Sequence, residues 1–470
     1  MEKGFPTFKT RRDWHFGLVN PQPTMNVARA RQDQRRGLSG WGRTYQDAIE
    51  VRSEDLARGS TDFALSRGLG RSYGDSSLPH PADGKALGTT LADRVLDFDE
   101  SSGVLRAEAG LCLAELNRLY LERRWFTPVT PGTKFVTLGG MVASDVHGKN
   151  HHVAGTFGRH VRELLIRTGS GEVVRCSREE NADLFLATLG GMGLTGHILE
   201  VAVQLEKLPS PWIYTESYRI SCLDELLEKI KESGKTWPMT VSWVDTVARG
   251  KSMGRGILFV GRWATAEEAP PGVPAARRAI EMPFGLPSGL LNRTTIGLFN
   301  SMVYASHYKK KKTGFVSPDK YFYPLDNILH WNRLYGSSGV TQHQSVIPDE
   351  AGPAGVRQLI EELAAAGTAS FLTVIKDCGE QGDGLLSFPR PGMSLALDLP
   401  IRRDSIQVVS RLNRVVKETG GRIYLTKDGL SSPEDFRQME SRLDDFLQVR
   451  KKWDPQGKLR SAQSLRLMGW

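Results

Sequence analysis

Cysteine is scarce in this 470-residue chain. There are four, Cys112, Cys176, Cys222 and Cys378, and no two form a CxxC pair. That scatter argues against a disulfide framework or a thiolate zinc site and suits a reducing compartment. Long apolar runs are missing too: nothing approaches the ~20 consecutive apolar residues that a bilayer span needs. The opening MEKGFPTFKTRRDWHFG has no apolar core and does not read as a secretory signal. No basic helix interleaved with aromatics is found, so nucleic acid is not an expected partner. The charge excess is moderate, +9 from 62 Lys and Arg against 53 Asp and Glu. It favours anionic ligands such as phosphates, dinucleotides or an anionic membrane surface without choosing among them. The expectation is a cytoplasmic protein, with any membrane contact peripheral, at the inner membrane surface.

The length exceeds one hydrophobic core and suits two domains. Residues 1–37 are basic and aperiodic and read as a flexible leader. From Leu38 short β-type runs alternate with glycine turns. CLAELNRLYLERR repeats Leu113, Leu116, Leu119 and Tyr120 at helical spacing. ELLIRTGSGEVVRC reads as a hairpin on its Gly-Ser-Gly turn, NADLFLATLG as a helix and HILEVAVQLEKL as a strand. Near residue 206 the texture changes to helices and longer strands such as MTVSWVD, GILFVGRW and SFLTVIKD. It changes back near 421, where a short strand precedes one amphipathic helix, SPEDFRQMESRLDDFLQVRKKWDP. The basic run Lys309 to Lys312 reads as a solvated loop, with guidance of an anionic substrate or lipid surface as its functional alternative.

Glycine, in contrast to cysteine, is plentiful. Gly191-Met-Gly193-Leu-Thr-Gly196 matches GxGxxG, but a Rossmann site needs a strand before and a helix after it. Here the expected order is helix, then strand. Gly68-Leu-Gly70-Arg-Ser-Tyr-Gly74 has the wrong final spacing for that motif. Any one such loop is ordinarily a tight turn. Four of them, at 67–75, 131–140, 147–158 and 190–196, with Arg71, Ser72 and Thr133 among them, point to a dinucleotide cradle of another type, in which backbone N–H groups approach a pyrophosphate.

The segments LSGWGRT, SRGLGRSYGD, PGTKFVTLGGMVASDVHGKNHHVAGTFG, GGMGLTG, YFYPLDNILHWNRLYG, QHQSVIP, LSFPRPG and LTKDG resemble, in order from Leu38 to the end, the oxidases of the decaprenylphosphoryl-β-D-ribose 2′-epimerase family. That family lies within the vanillyl-alcohol-oxidase flavoprotein superfamily. The resemblance implies an α+β fold: a PCMH-type FAD-binding domain, residues 38–205 with a return over 422–470, split by an inserted α+β substrate domain with an antiparallel sheet, 206–421. It implies oxidation of C2′ of a polyprenylphosphoryl ribose by FAD, with a separate NAD(P)H-dependent short-chain reductase finishing an epimerisation to the arabinose form. Related sugar oxidases often bond flavin through a histidine in the first glycine loop. Gly70-Arg71-Ser72-Tyr73 has none, so the FAD is expected to be non-covalent.

The resemblance also implies site residues. FAD contacts are expected from Arg67, Gly68, Gly70, Arg71, Ser72, Tyr73 and Gly74; from Pro131, Gly132, Thr133, Thr137, Gly139 and Gly140; from Ser144, His147, Gly148 and Asn150; and from Gly193, Thr195, Gly196 and Tyr424. His147 and Lys427 are the expected catalytic residues. An alcohol oxidation needs an acceptor for the hydroxyl proton and a cation for developing negative charge, and the sequence does not divide those tasks between the two. Lys149, Trp243, Gln342, Gln344, Lys376, Asp398 and Lys427 are expected at the substrate, with Lys149 and Lys376 on its phosphate. Asp398, a charge in the apolar run LALDLP, reads as a paired inward carboxylate or a structural salt bridge. His147, His151 and His152 have no carboxylate or cysteine companion, so no metal is expected. Mycobacterial members carry a cysteine where this chain has Ala396, the target of covalent nitroaromatic inhibitors; Met393 and His343 also replace expected aromatics. Two alternatives stay open: a soluble alditol or aldonolactone oxidase using oxygen, and a catalytically silent flavin-binding protein.

Overall fold

Runs of alternating residues become three main sheets in the computed structural model, which describes residues 37–275, 279–287, 289–370 and 372–470. The expected leader, apart from Gly37, lies outside the described residues. A small parallel sheet is made of β1 (Ile49–Arg52), β2 (Ser66–Arg67) and β3 (Lys85–Gly88), with β3 central. The second sheet is antiparallel, with β4 (Val95–Asp99), β5 (Val104–Glu108), β6 (Val161–Arg167), β7 (Val173–Ser177) and β8 (His197–Gln204) in the order β7-β6-β8-β5-β4. The Gly-Ser-Gly hairpin closes β6 on β7, with Arg167 opposite Val173. Helix α1 (Leu113–Tyr120) buries Leu113, Leu116 and Tyr120, the spacing read from the sequence, against this sheet's core.

The third sheet has eight strands: β9 (Ile213–Ile220), β10 (Met239–Val244), β11 (Gly256–Trp263), β12 (Lys311–Val316), β13 (Val340–Pro348), β14 (Thr373–Cys378), β15 (Gly392–Pro400) and β16 (Arg422–Ile423). Their order is β12-β9-β11-β10-β14-β15-β13-β16. One face packs on α4 (Leu223–Gly234), α6 (Gly352–Ala365) and α7 (Ser405–Glu418), numbered after α2 (Leu138–Ala143) and α3 (Ala182–Thr188); α5 (Arg293–Ser306) lies between α4 and α6 in the chain. Ile375, Leu395, Leu397 and Leu399 supply the sheet's part of that core, and Leu359, Leu363, Leu412 and Val416 the helices' part.

Two expectations are corrected. The basic run is not wholly a loop, because Lys311 and Lys312 open the edge strand β12. The C-terminal amphipathic stretch is two helices, α8 (Pro433–Met439) and α9 (Leu443–Trp453). Between them Glu440 is buried, 3.2 Å from Arg442 and 3.6 Å from Arg422, while Arg442 donates to the carbonyls of Gly384 and Ser387. Breaking the helix there lets a buried charge cluster satisfy its partners, which a continuous helix would leave unmade.

Candidate active site

Side chains of a strand alternate faces, and directly paired residues share one. The register therefore fixes a single row: Gln344 pairs with Ala396, Ala396 with Val374, and Val374 with Trp243. The flanking rows set Gln342 beside Asp398 and Lys376 beside Ser394 on the same face. Trp243, Lys376, Asp398, Gln342 and Gln344 thus come from consecutive strands β10, β14, β15 and β13 onto one side of the sheet, opposite the apolar core. His343 and Met393 fall on the other side, where His343 Nε2 meets Asn413 Oδ1 at 3.0 Å and Met393 joins the helix-packed core. Of the three departures from the family pattern, only Ala396 faces the site.

The early glycine loop and the late LTKDG segment meet at this face. Tyr73 N–H donates to the Thr426 carbonyl at 2.9 Å, and a Cβ on Gly74 would strike the Asp428 carbonyl. Arg466 ties the two segments through Asp75 (2.7 Å) and Asp428 (2.9 Å). Lys427 lies 4.2 Å over the Tyr73 ring, a cation–π placement. Gln342 bridges Tyr73 and Asp398, and Tyr335 donates to the other Asp398 oxygen at 3.2 Å. Burial is the larger influence on both charged partners. It pushes the Asp398 carboxyl up to about 6, and pulls the Lys427 ammonium down to about 8 against the raising effect of Asp398.

His147 follows a turn organised by Asp145, a fully buried residue at φ 37° whose carboxylate accepts from Gly158 N–H at 2.8 Å and from the Ser387 hydroxyl. The imidazole packs near Phe388 and Tyr424, with ring centres 5.3 and 5.0 Å away, and its Nε2 meets the Gln344 amide at 2.9 Å. Gln344 also reaches Ser394 Oγ at 3.2 Å. Burial, then the positive charge of Lys376, hold His147 well below the usual histidine range, so it is neutral at neutral pH. Tyr424 donates to the Ser144 carbonyl at 2.9 Å, fixing the second side of the imidazole slot.

Lys149 donates to the Tyr321 carbonyl and sits 4.7 Å over that ring. Burial, then Lys376, lower it to about 7. Burial also lowers Lys376. Among the described residues neither lysine enters an ion pair.

Several expected cofactor residues brace the cradle through protein partners. Arg67 spends its guanidinium on Glu50, Ser77 and the Ser39 carbonyl. Thr137 caps α2 by accepting from Gly140 N–H at 3.2 Å and fills the space that a Cβ on Gly68 would need. Thr195 bonds Thr188 at 2.9 Å, and Asn150 bonds the Pro128 carbonyl at 2.7 Å. Gly193 and Gly196 lie between α3 and β8, the helix-then-strand order that excludes a Rossmann motif. Asp145, Tyr335, Phe388 and Ser394 were missed as individual site residues. Asp145, Tyr335 and Phe388 stand inside recognised segments, but their contacts span far-apart stretches of chain.

The residues fit an FAD. A side chain on Gly132 would meet nothing within 4 Å, and one on Gly193 only Leu65 at 3.8 Å, so both glycines front open space. Arg71 Nε and His147 Nδ1 are buried with no hydrogen-bond partner, a state that is costly unless a ligand supplies one. Arg71 is also held 4.2 Å over Trp41 and 5.3 Å over Phe135.

The FAD binding domain family matches residues 62–177. Together with this cradle and sheet face, that match defines a PCMH-type flavoprotein of α+β fold, an FAD-dependent oxidoreductase acting on CH–OH groups. The chain is 32% identical over 451 residues to decaprenylphosphoryl-beta-D-ribose oxidase of Mycolicibacterium smegmatis, covering 92% of this chain and 97% of that one. It belongs to the decaprenylphosphoryl-β-D-ribose oxidase family. An uncharacterized protein of the mprA 5′ region of Streptomyces coelicolor is 31% identical over 76% of this chain and its own full length. L-gulonolactone oxidase of Mus musculus is 28% identical over 36% of this chain and 40% of its own.

Proposed function

We propose that this enzyme oxidises the 2′-hydroxyl of a polyprenylphosphoryl-β-D-ribose to the 2′-keto sugar, the first half of an epimerisation to the arabinose form. The observation that carries the reading is a pair of half-buried lysines, Lys376 on the site face of the sheet and Lys149 beside Tyr321, neither with a described counter-ion. Partly desolvated ammonium groups without counter-ions are disfavoured; a substrate phosphate would supply the opposite charge to both. Gln342, Gln344 and Ser394 offer hydrogen bonds to sugar hydroxyls, and Trp243 offers an apolar wall at the far end of the row.

Bound FAD supplies the two-electron oxidant, and its non-covalent attachment follows from the absence of histidine in Gly70–Gly74. The chain's own part is positioning and proton transfer. Lys427, at about 8, is closer to working pH than His147 and is the better matched acceptor of the hydroxyl proton. His147, neutral and fixed along its Nε2 edge by Gln344, positions the reacting groups through Nδ1. Asp398 tunes Lys427 from behind, held by Tyr335 and Gln342. In this reading residues 38–205 and 422–470 hold the cofactor, 206–421 hold the substrate, and a separate NAD(P)H-dependent reductase consumes the keto product in the cytoplasm.

The test is to trap the product with borodeuteride after turnover on a polyprenylphosphoryl ribose. Deuterium at C2′, in ribose and arabinose forms, is the expected result. Deuterium at another carbon would overturn the assignment. Vigorous hydrogen peroxide release from free alditols or aldonolactones would favour the soluble-oxidase alternative.

A further inference from the structure

Helix α5 is built differently from the helices that close the apolar core. It starts at an Asn292 capping box and runs from Arg293 to Ser306 with no charged residue after Arg293. It buries only Ile296 and Asn300. Its attachment is largely polar: Asn300 Nδ2 donates to Asp245 Oδ1 at 2.9 Å, Arg255 to Ser301 Oγ at 3.0 Å, and Arg219 and Arg255 lie 4.2 and 4.8 Å over Tyr304. Apart from Ile296, its large apolar residues are mostly exposed. Leu298 is 64% exposed and Met302 57%, on the same side at a four-residue interval. Phe284 and Leu290 before the helix and Tyr308 after it are also exposed, at 65%, 46% and 71%.

Basic groups lie at both ends. Arg293 sits exposed in the first turn, where a cation opposes the helix dipole, so its sign is not explained by helix stability. Beyond the last turn Lys309 and Lys310 are exposed, and no described ion pair includes them. Lys311 is committed to Glu216 at 2.8 Å, and Lys312 donates to the Ser306 carbonyl at 3.0 Å. Among the described residues no helix is long and apolar enough to cross a membrane. A helix with an apolar outer face, a Ser and Thr flank and cations at its ends suits the plane of an interface.

We propose that α5, with Lys309 and Lys310, seats the enzyme on an anionic lipid surface. The apolar side chains enter the headgroup boundary and the lysines meet anionic headgroups. Asp245, which anchors α5, follows β10 two residues after Trp243, so the seat is tied to the end of a strand that lines the site. The inference deepens the reading of a lipid-linked substrate but is tested without one.

The measurement is co-sedimentation of the FAD-loaded enzyme with phosphatidylcholine vesicles, with and without phosphatidylglycerol, in the absence of sugar. Binding that requires phosphatidylglycerol and weakens with salt is expected. K309A/K310A should lower it about fivefold per lysine, and L298E and M302E each about tenfold or more. All these positions are exposed, so flavin content and thermal unfolding should match the parent. Wild-type enzyme that ignores anionic vesicles, or variants that partition like the parent, would overturn the proposal. So would a concentration-dependent dimer abolished by L298E, which would assign the face to a second copy. Oxidation of a short-chain, water-soluble phosphoryl ribose, followed in the same variants, reports separately on the proposed chemistry.

Discussion

The two faces of the eight-stranded sheet are written in the same few residues and serve opposite ends. Along β15, Leu395, Leu397 and Leu399 go to the helices, while Ser394, Ala396 and Asp398 go to the site. The first set is held by apolar burial, which is non-directional and tolerates exchange of similar volumes. The second is held by specific partners: Gln342 and Tyr335 on Asp398, and Gln344 on Ser394. Neighbours in this sequence should therefore fail in different ways when changed: one side in stability, the other in chemistry.

The largest expected effect is on the site side. K427M should lower the rate of flavin reduction by about 10²–10⁴-fold while the protein still folds and carries FAD, judged by its visible spectrum. Retention of most of the rate would remove Lys427 from proton transfer. L397A should do the reverse. Leu397 is fully buried, and truncation should cost about 2–5 kcal/mol of unfolding free energy in denaturant titration with turnover per bound flavin little changed. A large loss of turnover at full stability would erase the distinction between the faces.

The sheet's division was only partly legible in the sequence. QHQSVIP and LALDLP show their alternation, so Gln342 and Gln344 could be placed together. Which strands lie beside them depends on pairing between residues far apart in the chain. That is why Tyr335 and Ser394 were missed, and why the sequence did not separate His343 and Met393, which face the helices, from Ala396, which faces the site. The glycine cradle was more legible because its signals are local. Even there, the use of Arg67 and Thr137 as braces became visible only with their partners, Ser39 and Glu50 for the one and Gly68 and Gly140 for the other. The broken C-terminal helix escaped because periodicity carries no sign of a buried charge cluster at Glu440.

A finer prediction concerns pH. If Lys427 must lose a proton to act, flavin reduction rises with pH and levels off above about 8. Asp398 raises the lysine, so in D398N the lysine releases its proton at lower pH and the rising limb moves to the acid side. An unmoved limb in D398N would show that another group governs it. The smallest effect on catalysis belongs to A396C. Ala396 lies in the middle row of the site face, and a thiol there should leave turnover nearly unchanged. Mass spectrometry should find a nitroaromatic adduct on the variant and none on the parent.

The proposed reaction has one polar face, closed by Tyr73 and Lys427, present a phosphoryl ribose to FAD. Anaerobic mixing with polyprenylphosphoryl-β-D-ribose tests it most directly. The flavin's visible absorbance should bleach in the wild type, and far more slowly in K427M. A flavin that stays oxidised with this substrate yet bleaches readily with unphosphorylated sugars would contradict it.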